Sequence, residues 1–182
     1  MCYELCKEEK VVLKDKEFTL SSLAINDTKY LKDFLNSLIE ENTPIIKNQK
    51  LNIFQERKWL KNKILSINNK KTYFLVAFYQ NKVAGTIEVI KYFNRMSHLA
   101  SLGIAVSKDF INLCLGKFLI NKIISICKEY EDIKSLILEV FQNNSIEINL
   151  YKKIGFKEVT RLPKRAYYKN QYIDIIIMDY YL

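Results

Sequence analysis

Apolar and polar residues recur along this chain with two periods, and the switches between the periods outline its elements. Leu119, Ile123, Ile126, Cys127 and Tyr130 fall at i, i+4, i+7, i+8 and i+11, which predicts an amphipathic helix. Just before it, His98 to Val106 is a short apolar run ending in Gly103-Ile104-Ala105-Val106, and it reads as a buried strand. The tight connection between them opens the helix beside Gly116. A helix start has unpaired N–H groups and the positive end of the dipole, so it suits a phosphate.

The rest of the chain reads in the same way. Val11-Val12-Leu13 and Phe18-Thr19-Leu20 flank Lys14-Asp15-Lys16-Glu17 and predict a hairpin over about 11–23, without the usual turn glycine. Asp27 is placed to cap a helix carrying Leu31, Phe34, Leu35, Leu38 and Ile39 on one face. The polar stretch from Glu41 to Leu51, with Pro44, reads as a loop. Asn52 and Gln55 resemble a capping box for a helix with Ile53, Leu60, Ile64 and Ile67 in a stripe. Strands follow at 72–79 and 83–90, joined by Gln80-Asn81-Lys82, and another covers 135–141. Gln142-Asn143-Asn144 breaks that strand and caps a short helix bearing Ile146, Ile148, Leu150, Tyr151 and Ile154, which Gly155 ends. Two further strands are expected at 156–161 and 172–178. The order β, αα, βββ, α, β, α, ββ predicts a mixed α/β (α+β) sheet with helices on both faces. At 182 residues, with four glycines, two prolines and no linker on which to divide it, residues 1–182 read as one domain.

Charge and cysteine content narrow the chemistry. The net charge of +9 favours anionic ligands, although basic and acidic residues are interspersed in the manner of a solvated surface. Nucleic acid is not expected as a partner, since there is neither an RNA-recognition aromatic signature nor a basic recognition helix. Cys2, Cys6, Cys114 and Cys127, with His98 as the sole histidine, make no zinc pattern, so no metal is expected. Without an apolar run of spanning length or a signal-peptide core, the expectation is a soluble, reduced, cytoplasmic protein with no membrane partner.

Two landmarks in the correct order carry a resemblance. The first is the strand–turn–helix of 104–116; the second is LEVFQNNSIEINLYKKIGF, residues 138–156. The second resembles the C-terminal signature of the GCN5-related N-acetyltransferases (GNAT), and the tail RLPKRAYYKNQYIDIIIMDYYL resembles the branch of ribosomal-protein N-terminal and small-amine acetyltransferases. The resemblance runs from about residue 11 to the end. It implies a GNAT-like, mainly antiparallel sheet flanked by helices, acetyl-CoA as acyl donor, and transfer of acetyl to a primary amine by direct attack on the thioester.

Position by position, the resemblance places the family's exposed strand backbone at Ile104, Ala105 and Val106, against the pantetheine arm and the acetyl carbonyl. Its pyrophosphate loop falls on Ile111, Asn112, Leu113, Cys114, Leu115, Gly116 and Lys117. Asn144 matches the asparagine that contacts the cofactor arm, Tyr151 the tyrosine near the sulfur, and Lys153 a basic position able to approach the phosphates. The sequence departs from the family at Ile111, where a polar residue is usual, and at Cys114, where a glycine is. It departs again at Glu147, usually alanine, and at Ser101, where the branch often has glutamate.

Acetyl transfer needs donors for a developing oxyanion and a proton for the leaving thiolate. Backbone amides near Ile104 to Val106 suit the first task. Tyr151 suits the second, since a phenol of pKa about 10 is matched to a thiol of about 8.5. Glu88, Glu139, Ser101 and His98 are the candidate bases by strand position, with His98 also readable as structural. A non-catalytic acyl-CoA-binding module on the same fold is the alternative reading. The amine acceptor, a small molecule or a protein N-terminus, would approach over the helices at 27–41 and 53–67. A homodimer through a free sheet edge is compatible with the sequence.

Overall fold

The computed structural model describes residues 8–129 and 132–182. The expectations that touched Cys2, Cys6 and Tyr130 lie outside those residues. Eight strands and four helices follow in order: β1 Glu9–Leu13, β2 Lys16–Ser21, α1 Thr28–Glu40, α2 Ile53–Asn68, β3 Thr72–Tyr79, β4 Lys82–Lys91 and β5 Leu99–Val106. After them come α3 Leu115–Lys128, β6 Ser135–Phe141, α4 Ser145–Ile154, β7 Lys157–Tyr168 and β8 Gln171–Tyr181. Hydrogen bonding orders the strands β1-β2-β3-β4-β5-β6-β8-β7, a mostly antiparallel sheet as expected.

The described residues form two compact units that alternate along the sequence. The first comprises residues up to Glu88 together with Ile104–Ile123, and the second Val89–Gly103 with Ile124–Leu182, so β4, β5 and α3 run through both.

In the first unit, β1 and β2 pair antiparallel, Leu13 opposite Lys16, around a two-residue turn. Lys14 and Asp15 both take positive φ, 45° and 65°, the conformation that a two-residue hairpin needs to match strand twist. The turn is therefore tighter than the four residues expected, and Lys16 and Glu17 belong to β2. Leu23, Leu31, Phe34, Leu38, Leu60, Ile67, Phe74, Val76 and Val83 form the core of this unit. The face of α1 is as predicted at its buried positions. Asp27 precedes it, but its carboxylate accepts from the Ala24 amide at 2.9 Å and caps the preceding single turn instead. The Asn52–Gln55 capping box forms: Asn52 Oδ1 accepts from the amides of Phe54 and Gln55, and Gln55 Oε1 accepts from the Asn52 amide. The stripe of α2 differs from expectation, because Ile53 is exposed and Glu56 is buried beside Leu60 and Ile67.

In the second unit, β6 runs parallel to β5 over three pairs, Leu99–Ser135 to Ser101–Ile137, and antiparallel to β8 along its whole length, Ser135–Tyr181 to Phe141–Ile175. The strand expected to stop at Arg161 continues to Tyr168. Pro163-Lys164-Arg165 bulge out between Leu162 and Ala166, and the Lys164 amide, at φ 53°, donates to Asp174 Oδ1 at 3.0 Å. A proline without an N–H interrupts a ladder, and here the bulge absorbs it. In α4, Ile148 and Tyr151 are buried while Ile146 is exposed, so the apolar face is narrower than predicted.

Candidate active site

The strand β5 ends at Val106, and Ile104, Ala105 and Val106 are each half-buried. They lie beyond the three pairs that tie β5 to β6. On the β4 side, Gly85 makes room for them: a Cβ there would sit 3.0 Å from the carbonyl oxygen of Ala105 and 3.4 Å from Leu119 Cδ1. A Cβ there would make a tighter contact than most side chains show, and the atom it meets is backbone. The sequence reading did not single out Gly85; an isolated glycine inside a strand pattern is its one local signal.

After β5 the chain makes a short turn, Lys108–Phe110, anchored by the buried Phe110 ring against Phe18 at 5.8 Å and Tyr79 at 5.3 Å. The predicted phosphate loop then unfolds as an exposed path. Ile111 is 46% exposed and takes extended backbone, while Asn112 (φ 67°) and Cys114 (φ 63°) are both left-handed. Left-handed residues turn successive amides toward one side, the geometry from which anion-binding nests are built. Lys14, at the hairpin tip, donates to the Asn112 carbonyl at 2.8 Å and so ties the loop down from 98 residues away. The Cys114 carbonyl accepts the first helical bond, from Phe118 at 3.0 Å, which makes Leu115, Gly116 and Lys117 the first turn of α3. Their amides have no partner within the helix. The Leu115 side chain itself is core, so its backbone alone is available to a ligand. Cys114 thus holds the left-handed conformation that suits a glycine, with an exposed, free thiol.

The other predicted group lies in the second unit. Asn144 caps α4: its Oδ1 accepts from the Glu147 amide at 3.3 Å and its Nδ2 donates to Glu147 Oε2 at 2.7 Å. Burial pushes the Glu147 carboxyl up to about 7. One turn on, Tyr151 is 4% exposed, its ring 5.9 Å from Phe156. Burial, and then the Glu147 charge, hold its phenol well above the usual tyrosine range. Gly155 ends α4 at φ 120°, its amide reaching the carbonyls of Tyr151 and Lys152, and a Cβ there would meet Tyr180 at 3.2 Å. Lys153 is an exposed side chain of the last helical turn.

The candidate bases separate by environment. Glu88 is ion-paired to Lys63 at 2.6 Å, Glu139 is exposed, and Ser101 is half-buried. His98 is exposed, and it is its carbonyl that works, accepting from the Lys134 amide at 2.7 Å where the parallel pairing begins. A carboxylate outside that set, Glu56, is buried in α2. No group of metal-ligating side chains occurs among the described residues. No helix among them is long and apolar enough to cross a membrane.

Comparison with known proteins adds a lineage to this geometry. A family model described as the acetyltransferase (GNAT) family matches residues 32–156. The L-amino acid N-acetyltransferase AaaT of Escherichia coli (strain K12) is 30% identical over 105 residues, 57% of this chain and 65% of that protein. An N-alpha-acetyltransferase of Sulfurisphaera tokodaii is 40% identical over 76 residues, 42% of this chain and 43% of that protein. The matches therefore span less than two thirds of either relative. Among solved structures, the microcin C7 self-immunity acetyltransferase in complex with acetyl-CoA and AMP superposes with a TM-score of 0.77 at 19% identity, covering 93% of this chain and 94% of that one.

Proposed function

The chain belongs to the GNAT acetyltransferase family, and on that premise we propose that it transfers acetyl from acetyl-CoA to a primary amine. The observation that carries this reading is the loop at the start of α3. Left-handed Asn112 and Cys114 lead into the first-turn amides of Leu115, Gly116 and Lys117, which have no partner within the helix. Those amides and the dipole of α3 fit a diphosphate. Acetyl-CoA supplies the activated thioester. The polar backbone of Ile104, Ala105 and Val106 is assigned to the pantetheine arm and the acetyl oxygen, where donors stabilise developing negative charge.

Tyr151 is assigned as the donor to the leaving sulfur. With its phenol pushed upward by burial and by Glu147, it stays protonated throughout the neutral range and enters the reaction only as an acid. Asn144 is assigned to the cofactor arm through the second hydrogen of its amide nitrogen, the first being held by Glu147. The reading treats residues 1–182 as one functional domain, in keeping with the strands shared by both units. The test is calorimetric titration with acetyl-CoA followed by an assay of thiol release against a panel of amines. Micromolar binding with amine-dependent release supports the transferase; binding without release from any amine rejects it in favour of a non-catalytic acyl-CoA-binding module.

A further inference from the structure

The segment between β5 and α3 holds a conformation that its own residues do not all favour. Asn112 and Cys114 are both left-handed, at φ 67° and 63°. Asparagine visits that region readily because its short amide can bond locally. Cysteine has no such help, and its Cβ crowds the following carbonyl, whereas a glycine would hold the same path without penalty. Contacts from outside the loop therefore have to hold it.

The β1–β2 hairpin supplies such contacts. Before the loop, the Phe18 ring of β2 meets the buried Phe110 ring edge-on, their centroids 5.8 Å apart. Beyond it, Glu9 of β1 pairs with Lys122 of α3 at 2.5 Å. Between those two, the Lys14 ammonium donates to the Asn112 carbonyl at 2.8 Å. On the other side of Cys114, Leu115 is 1% exposed and the Cys114 carbonyl accepts from the Phe118 amide at 3.0 Å. Residues 112–114 are thus tethered at both ends, by Lys14 at Asn112 and by the core at Leu115. Rotating Cys114 to negative φ would carry Asn112 away from Lys14, because the Leu115 side is held. We propose that Lys14 is a positioning residue for acetyl-CoA: its bond to Asn112 keeps Cys114 left-handed, and with it the first-turn amides of α3 in place for the diphosphate. Lys14 acts through the loop and is not itself a phosphate ligand. The hairpin does for Cys114 what a glycine would do unaided. This assignment rests on the transferase reading for its cofactor.

The experiment titrates acetyl-CoA into the wild type, Lys14→Met, Lys14→Arg, Cys114→Gly and the double variant Lys14→Met/Cys114→Gly. Hydrogen exchange of the Phe118 amide is followed in each protein without cofactor. Met and Arg are unbranched at Cβ, as Lys is, so the left-handed turn position is served equally; only Met lacks a donor. Lys14→Met is expected to weaken acetyl-CoA binding by about five-fold and to speed Phe118 exchange similarly, the scale of one exposed hydrogen bond. Lys14→Arg should bring both back to within about two-fold of the wild type, since its guanidinium also donates. In the Cys114→Gly background, loss of the Lys14 donor should cost less than about two-fold, since glycine needs no tether. Unchanged Phe118 exchange in Lys14→Met would overturn the proposal. So would an equal loss of affinity in both backgrounds, which would make Lys14 a direct contact of the cofactor. Should the wild type bind no acetyl-CoA, the transferase reading falls by itself: faster Phe118 exchange in Lys14→Met, relieved by Cys114→Gly, would still uphold the role of Lys14 in the loop.

Discussion

The side-chain nitrogen of Asn144 donates a 2.7 Å hydrogen bond to the carboxylate of Glu147, three residues on in the first turn of α4. The cap and the acid are thus one unit, and burial of that unit outweighs the donor and raises the Glu147 carboxyl from 4.5 to about 7. Between those values the folded chain holds a proton that the unfolded chain has released, so this group's contribution to stability falls as pH rises through the window. Glu147→Gln has no such proton. The wild type should lose stability relative to Glu147→Gln by about 3 kcal/mol between acid and neutral pH, as read from urea denaturation at a series of pH values.

Tyr151→Phe keeps the ring that packs on Phe156 and deletes the hydroxyl. Turnover is expected to fall by about 10²-fold or more, with acetyl-CoA affinity retained. Single-turnover kinetics and calorimetry on the same preparation check both halves. Equal turnover would remove Tyr151 from the chemistry.

Cys114 sits at φ 63°, where a β-branched side chain is strained. Cys114→Val should lower stability by about 1–2 kcal/mol and weaken acetyl-CoA binding, because relief of the strain requires the loop to leave its path. Cys114→Gly should bind acetyl-CoA at least as tightly as the wild type. Titration of the three proteins with acetyl-CoA gives the order.

Gly85→Ala would place a Cβ 3.0 Å from the Ala105 carbonyl oxygen. Backbone cannot swing aside as a side chain can, so a loss of about 1–3 kcal/mol is expected, with a shift of the β5 end. Thermal melts together with amide chemical shifts of Ile104 to Val106 report the two effects.

Asn36 fastens Leu51 through both ends of its amide. Asn36→Ala should cost about 1–2 kcal/mol and free the end of the α1–α2 loop. Faster hydrogen exchange at the Leu51 amide, with α1 amides unchanged, is the specific signature.

The readings that held are those whose physics is local. The Asn52–Gln55 box lies within one helical turn, so three residues of separation specify both partners. Gly155 is required by the backbone of its own helix end. The face of α1 and the buried positions of α3 follow from a 3.6-residue period and a common direction to the core. Where the period competed with other demands it misled: Ile53 and Ile146, at helix starts, point away from the core, and β7 outlasts a proline because a bulge accommodates it.

What determined the family and the element order was written in the sequence itself, because apolar periodicity, caps and turn residues act over a few positions. The tertiary structure alone decided that Lys14 reaches the Asn112 carbonyl, that Gly85 clears Ala105, and that Glu56 lies buried without a hydrogen bond to Oε2. Each of those depends on segments far apart in the chain. Burial in particular is a sum over everything packed around a side chain, and no window of neighbouring residues contains that sum.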